Sequence, residues 1–101
     1  YTEAANGDVY FYDTSRVEKT DTLRHVWNGI RYKTSLMGAF SFVSLLEINC
    51  SKRTETTLQS TFFSDKNWEN AAMKTDTSKS ATRQIEAGST VEQLAGIVCD
   101  Q

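Results

Sequence analysis

The sequence has no proline, one histidine and only five glycines among 101 residues. Without proline no loop end is marked by a locked φ, so element boundaries must be read from turn residues and periodicity. With His25 the sole histidine and no Cys-x-x-Cys pair, no ligand set for a metal is visible. No apolar run approaches the ~20 residues of a membrane-crossing helix. The richest, Leu36 to Leu46, is broken by Ser41 and Ser44. Basic charge is also short: 11 Lys and Arg against 13 Asp and Glu leave a net charge of −2. That excludes the positive footprint of nonspecific nucleic-acid binding. A glycine-rich phosphate loop, a Gly-x-Ser-x-Gly elbow and a paired-carboxylate site are all missing.

What is present is apolar and aromatic, at 39% and 11% of the chain, too much for a disordered segment. A chain of this length buries about 65% of its unfolded surface, sufficient for one core and too little for two. Residues 1–101 are therefore read as one domain. The sequence opens at Tyr1 with neither Met nor leader. It is read as a mature or trimmed form, and any membrane attachment is expected in a missing N-terminal part.

Val9-Tyr10-Phe11-Tyr12 lies between Asn6-Gly7-Asp8 and Asp13-Thr14-Ser15, an aromatic strand between two turns. Arg16 to Lys19 reads as a short polar strand. From Leu23 to Tyr32 the chain alternates, with Leu23, His25 and Trp27 on one face and Arg24, Val26 and Asn28 on the other. Asn28-Gly29 inside that run reads either as a hairpin turn or as a bulge in one strand that moves Ile30 and Tyr32 to Trp27's face. Residues 33–40 read as loop. Ser41 to Cys50 is a strand with Phe42, Ser44, Leu46, Ile48 and Cys50 on one face. Thr54 to Ser64, rich in threonine and ending in Phe62-Phe63, is another. Asp65 to Asn70 is a polar turn around Trp68, and residues 71–83 are polar chain with no element assigned.

The closing segment changes period. Ser89-Thr90-Val91-Glu92 has the form of a capping box. Val91, Leu94, Ala95 and Val98 then recur at helical spacing. Strands first and a helix last predict an α+β fold, an antiparallel sheet of about five or six strands packed on a C-terminal helix. Trp27, Phe42 and Phe62 are expected to fill the space between helix and sheet. The remaining aromatics exceed what such a core needs and leave candidates for an exposed binding face.

Cys50 and Cys99 each end an apolar periodic segment. They read either as separate buried thiols or as one disulfide between the middle strand and the helix in an oxidising compartment. Such a closure stabilises by about 4 kcal/mol in the chain-entropy model. To act as a base, His25 would need a nucleophile and an orienting acid. It shares a face with Leu23 and Trp27 and reads as a partly buried or edge histidine; a hydrolase would need a pocket gathering it with a serine and a carboxylate. Asp65-Lys66-Asn67-Trp68-Glu69-Asn70, with Asp76, echoes a calcium loop, but Asn70 stands where Gly is needed and Asp76 where Glu is needed. It reads as a solvated turn. Asn49-Cys50-Ser51 matches a glycosylation sequon within a strand and is read as chance. No catalytic residue, cofactor or metal is assigned, and the residues alone do not point to a ligand site.

Taken in order, four segments resemble the pattern of the surface-adhesin protein E family of Gram-negative bacteria. They are Asp8-Val9-Tyr10-Phe11-Tyr12-Asp13 with Ser15-Arg16-Val17; Val26-Trp27; Leu45-Leu46-Glu47-Ile48-Asn49-Cys50 with Arg53; and Ile85-Glu86-Ala87-Gly88-Ser89-Thr90 leading to Val98-Cys99. The resemblance runs from Asp8 to Cys99. It departs at Ala87, where the family usually has proline, and over Asp65 to Arg83, where nothing is recognisable. It implies an antiparallel sheet with a C-terminal helix tied by Cys50 and Cys99, and it favours one strand through Asn28-Gly29 over a hairpin turn. It also implies export to the periplasm, outer membrane or cell surface, often as a lipoprotein with its lipid anchor outside this segment. The implied role is non-catalytic protein binding, since characterised relatives bind host extracellular-matrix and serum proteins such as laminin and vitronectin. The alternative is a periplasmic accessory or assembly protein with a bacterial envelope partner. An exposed sheet edge leaves a homodimer open. No cofactor and no nucleic acid are expected.

Overall fold

The computed structural model describes residues 1–70 and 72–100. Among them the chain forms β1 (Thr2–Glu3), β2 (Val9–Tyr12), β3 (Glu18–Thr20), β4 (Leu23–Leu36), β5 (Ala39–Asn49), β6 (Thr54–Phe63), β7 (Ala72–Asp76), β8 (Arg83–Gln84) and α1 (Thr90–Val98). All strands join one antiparallel sheet in the order β1-β2-β4-β5-β6-β7, with β3 also on β4 and β8 also on β6. The α+β architecture is as expected, but with eight strands among the described residues instead of five or six. The extra ones are short or polar. Every residue of β7 is exposed, so no alternation marks it.

The sheet is built around the β4–β5 hairpin. Residues 33–40 are not loop: β4 runs on to Leu36 and returns at Ala39 through Met37-Gly38. Both linking residues have positive φ, 52° and 85°, the pattern of a two-residue primed turn. Asn28-Gly29, the pair with the usual signature of such a turn, lies instead within β4. Register there is unbroken from Leu23↔Asn49 to Arg31↔Ser41, so the bulge is absent and Ile30 keeps the face of Val26. Register shifts instead beyond Arg31 on β4, at Phe62-Phe63 against β7, and in the middle of β6, where Leu45 faces Gln59 and Leu46 faces Thr57, leaving Leu58 over.

Helix α1 begins as the sequence predicts. The Ser89 hydroxyl accepts the Glu92 amide at 3.1 Å, and the Glu92 carboxylate reaches back to the Gly88 amide at 3.0 Å. Its apolar stripe, Leu94, Ala95 and Val98, packs on Val26, Leu46 and Ile48, all buried. Each large aliphatic side chain so buried contributes roughly 1.5–3 kcal/mol. The last turn is held twice. Arg24 Nε donates to the Val98 carbonyl at 3.2 Å, satisfying a helix-end acceptor with a cation. Cys99 is disulfide-bonded to Cys50, with the Cα atoms 5.7 Å apart.

Nine helical residues rise only about 13 Å, whereas the eleven of β5 span about 36 Å. The helix therefore covers one end of one face. Phe42 and Phe62 pair across β5 and β6 with ring centroids 4.8 Å apart, yet neither belongs to the helix–sheet cluster. Trp27 lies on the opposite face altogether. The expectation that these three fill the helix–sheet core is thus corrected: a short helix cannot reach the two phenylalanines, and strand parity turns the indole away.

Candidate binding face

Strand parity sorts the side chains. Val26 and Asn28 of β4 face the helix, and by register so do Tyr10 and Tyr12 of β2. Trp27, Gly29 and Arg31 face the other way, alongside Phe11 of β2 and Val43 of β5. Among the described residues no helix covers this second face. Its cover comes from the chain after β6, where Trp68 folds back across the sheet.

The 65–70 loop is tied down by its own first residue. The Asp65 carboxylate accepts the amides of Asn67, Glu69 and Asn70 at 3.0 to 3.1 Å, a self-capped turn. These bonds, that from Glu69 first, hold its pKa below the ordinary aspartate range. The carboxylate that suggested a calcium loop is therefore occupied with backbone amides. The Ser41 hydroxyl anchors the loop through the Asp65 carbonyl, and Trp68 Nε1 donates to the Phe42 carbonyl at 3.0 Å. Arg31 completes the clamp, giving Nε to the Lys66 carbonyl at 3.0 Å and Nη2 to Asn67 Oδ1 at 3.1 Å. Its guanidinium sits 5.0 Å from the Phe11 ring centroid and 5.8 Å from that of Trp68. Phe11 and Trp68 meet edge to face at 5.6 Å.

The result is a cleft of about 400 Å³ walled by Phe11, Trp27, Val43 and Trp68, with Asp13 and Arg16 at its rim. Arg16 stands 5.4 Å from the Trp27 centroid and bonds Asp13 at 2.7 Å. The Ser15 hydroxyl and Arg16 together depress the Asp13 carboxyl to about 2. A second cleft, about 470 Å³, adjoins the first at Arg16 and Trp27 and is lined by Glu18, His25, Leu45 and the bulge residue Leu58. Sharing Arg16 and Trp27, the two clefts lie side by side as the two halves of a groove on this face, which the residues alone did not reveal. A glycine inside a strand, facing a distant tryptophan, was the signal available for it.

His25 occupies the second cleft. Its Nε2 lies 2.9 Å from Glu47 Oε2, and in register it sits between Glu18 of β3 and Glu47 of β5. Ser15 lines the same cleft, so the ingredients of a hydrolase are neighbours. They are not connected, because the Ser15 hydroxyl bonds Asp13 at 2.6 Å and His25 is bonded to Glu47. Asn49, in the sequon, uses its side-chain oxygen to accept the Ser51 and Lys52 amides and so shapes the β5–β6 turn. Among the described residues no three His, Cys, Asp or Glu side chains gather as a metal site.

A family model for surface-adhesin protein E matches residues 1–100. The chain belongs to the surface-adhesin protein E family. Solved structures of Haemophilus influenzae protein E share its fold. One is 19% identical and covers 90% of this chain and 76% of its own, with a TM-score of 0.71. Its selenomethionine form is also 19% identical, covering 91% and 79% with a TM-score of 0.72. Protein E from a non-typeable strain, again at 19%, covers 90% and 69% with a TM-score of 0.67. No curated protein matches the chain. For this family member the sheet, the C-terminal helix and the Cys50–Cys99 link agree with the expected architecture.

Proposed function

We propose that this chain is a non-catalytic protein-binding domain, exported to the periplasm or surface of a Gram-negative envelope, that holds its ligand in the groove on the helix-free face. Membership of a surface-adhesin family supports adhesion as the role, and the ligand proposed with it is a host matrix or serum protein. One observation carries the location: Phe11, Trp27, Val43 and Trp68 surround an open cleft and remain only partly buried. Aromatic side chains beside arginine, on rigid strands and unclaimed by the core, have the composition of an interface centre.

The test is surface plasmon resonance of the oxidised domain over immobilised laminin, vitronectin and other matrix and serum proteins at physiological salt. Saturable binding that falls at least about tenfold in Trp27→Ala is expected, as for a central aromatic anchor. Absence of saturable binding to every one of these proteins removes the adhesin reading. Full binding by Trp27→Ala moves the ligand off this face.

A further inference from the structure

The two halves of the groove differ in charge. The first is aromatic, and its Asp13 and Arg16 neutralise each other. In the second, β3, β4 and β5 set Glu18, His25 and Glu47 side by side on one face. Among the described residues no Lys or Arg stands in ion-pairing range of Glu18 or Glu47. Leu45 and Leu58 line this cleft with Glu18, His25 and Arg16, whose guanidinium is already paired with Asp13, and Glu47 adjoins it through its bond to His25.

Resting on the groove as binding site, we infer that its occupant is an extended segment of a protein ligand carrying an aromatic or large apolar side chain followed or preceded by a Lys or Arg. The apolar group enters the cleft walled by Phe11, Trp27, Val43 and Trp68. The long stem of the basic residue lies along Leu45 and Leu58, and its head meets Glu18 and Glu47. Spacing follows from the strands. Val43 lines the first half and Leu45 the second, about 7 Å apart; Gly29 and His25, which also mark the two halves, lie about 13 Å apart. Those distances match residues two or four apart in an extended chain, which project to the same side. Opposite charge at this point selects the basic segment over an acidic one, because like charges brought together are penalised.

The chain's two tryptophans, Trp27 and Trp68, both line the groove, so intrinsic fluorescence reports its occupancy. The probes are synthetic Ser/Gly peptides with one Phe and, two or four residues away, an Arg. Partner peptides carry Glu in place of Arg, or Ser in place of Phe. The Arg peptides are expected to perturb the emission and to bind at least about tenfold tighter than the Glu peptides. Glu18→Gln, on an exposed edge strand, should remove most of that preference; Glu47→Gln should do the same where it folds. Equal binding of the Arg and Glu peptides overturns this inference while leaving the groove as binding site. Tighter binding of the Glu peptides overturns it as well. No change in emission with any peptide, together with full binding of a matrix protein by Trp27→Ala, overturns both readings.

Discussion

The Trp68 indole lies over the backbone of Gly29, so that a β-carbon on Gly29 would stand 3.0 Å from Trp68 Cζ2. The strand and the returning loop meet there with no room for a side chain. Gly29→Ala should cost about 1–3 kcal/mol, the usual range for overpacking. It should also shift tryptophan emission to the red as the indole is lifted. In a Trp68→Ala background the same change should cost much less, and a double-mutant cycle measures the difference. Additive costs would mean that the ring and the strand are independent.

Reduction of Cys50–Cys99 frees the end of α1 from the β5–β6 turn. With a sequence separation of 49, the chain-entropy model puts the link at about 4 kcal/mol. Each kcal/mol moves the midpoint of a domain this size by ~4–8 °C. Melting followed by circular dichroism should therefore drop by at least several degrees in reductant. An unchanged curve would show that the sulfurs carry no stabilising link.

The Ser89 hydroxyl accepts the Glu92 amide, and Ser89→Ala leaves that donor without its partner. A loss of about 1 kcal/mol in urea unfolding is expected. Ser89→Asp, which restores an acceptor and adds negative charge at the helix start, should recover it. Equal stability of all three proteins would mean that the cap contributes nothing.

The Tyr1 hydroxyl donates to Asn28 Oδ1 at 2.9 Å, and Asn28 is only 6% exposed. Burial, then the proximity of Tyr10 and Glu55, raises the pKa of Tyr1 above the ordinary tyrosine value. Burial raises that of Tyr32 as well. A folded-state value above the unfolded one means that the contribution is whole below about pH 10 and is lost as pH rises past it. Stability measured by urea titration should therefore fall above pH 10. Tyr1→Phe should flatten that fall, while costing about 1–3 kcal/mol at neutral pH because Asn28 loses its donor. An identical alkaline slope in Tyr1→Phe would contradict this assignment.

The parts of the fold legible in the sequence were those written in local code. Ser89 and Glu92 announced the helix start, alternation placed β4 and β5, and aromatic and β-branched runs placed β2 and β6. Where local signals pointed elsewhere, tertiary packing outranked local preference. Asn28-Gly29 carries the strongest short-range turn signal in the chain, yet Gly29 serves to admit Trp68 within a strand. Met37-Gly38 carries little of that signal, yet it makes the turn. The groove was not legible because its walls come from Phe11, Trp27, Val43 and Trp68, which only pairing and the fold-back of the 65–70 loop bring together. The acidic row was half-visible: Leu23, His25 and Trp27 were placed on one face, but the glutamates flanking His25 required the register of β3 and β5.

The bond between Cys50 and Cys99 also determines how the molecule would carry a mechanical load. Tension applied at Asp100 passes through the sulfurs directly into β5, bypassing the 49-residue separation they span. Residues 51–98 then bear none of the pull and cannot be paid out as slack, so under flow β6 and α1 would stay folded on the hairpin until that hairpin itself was sheared.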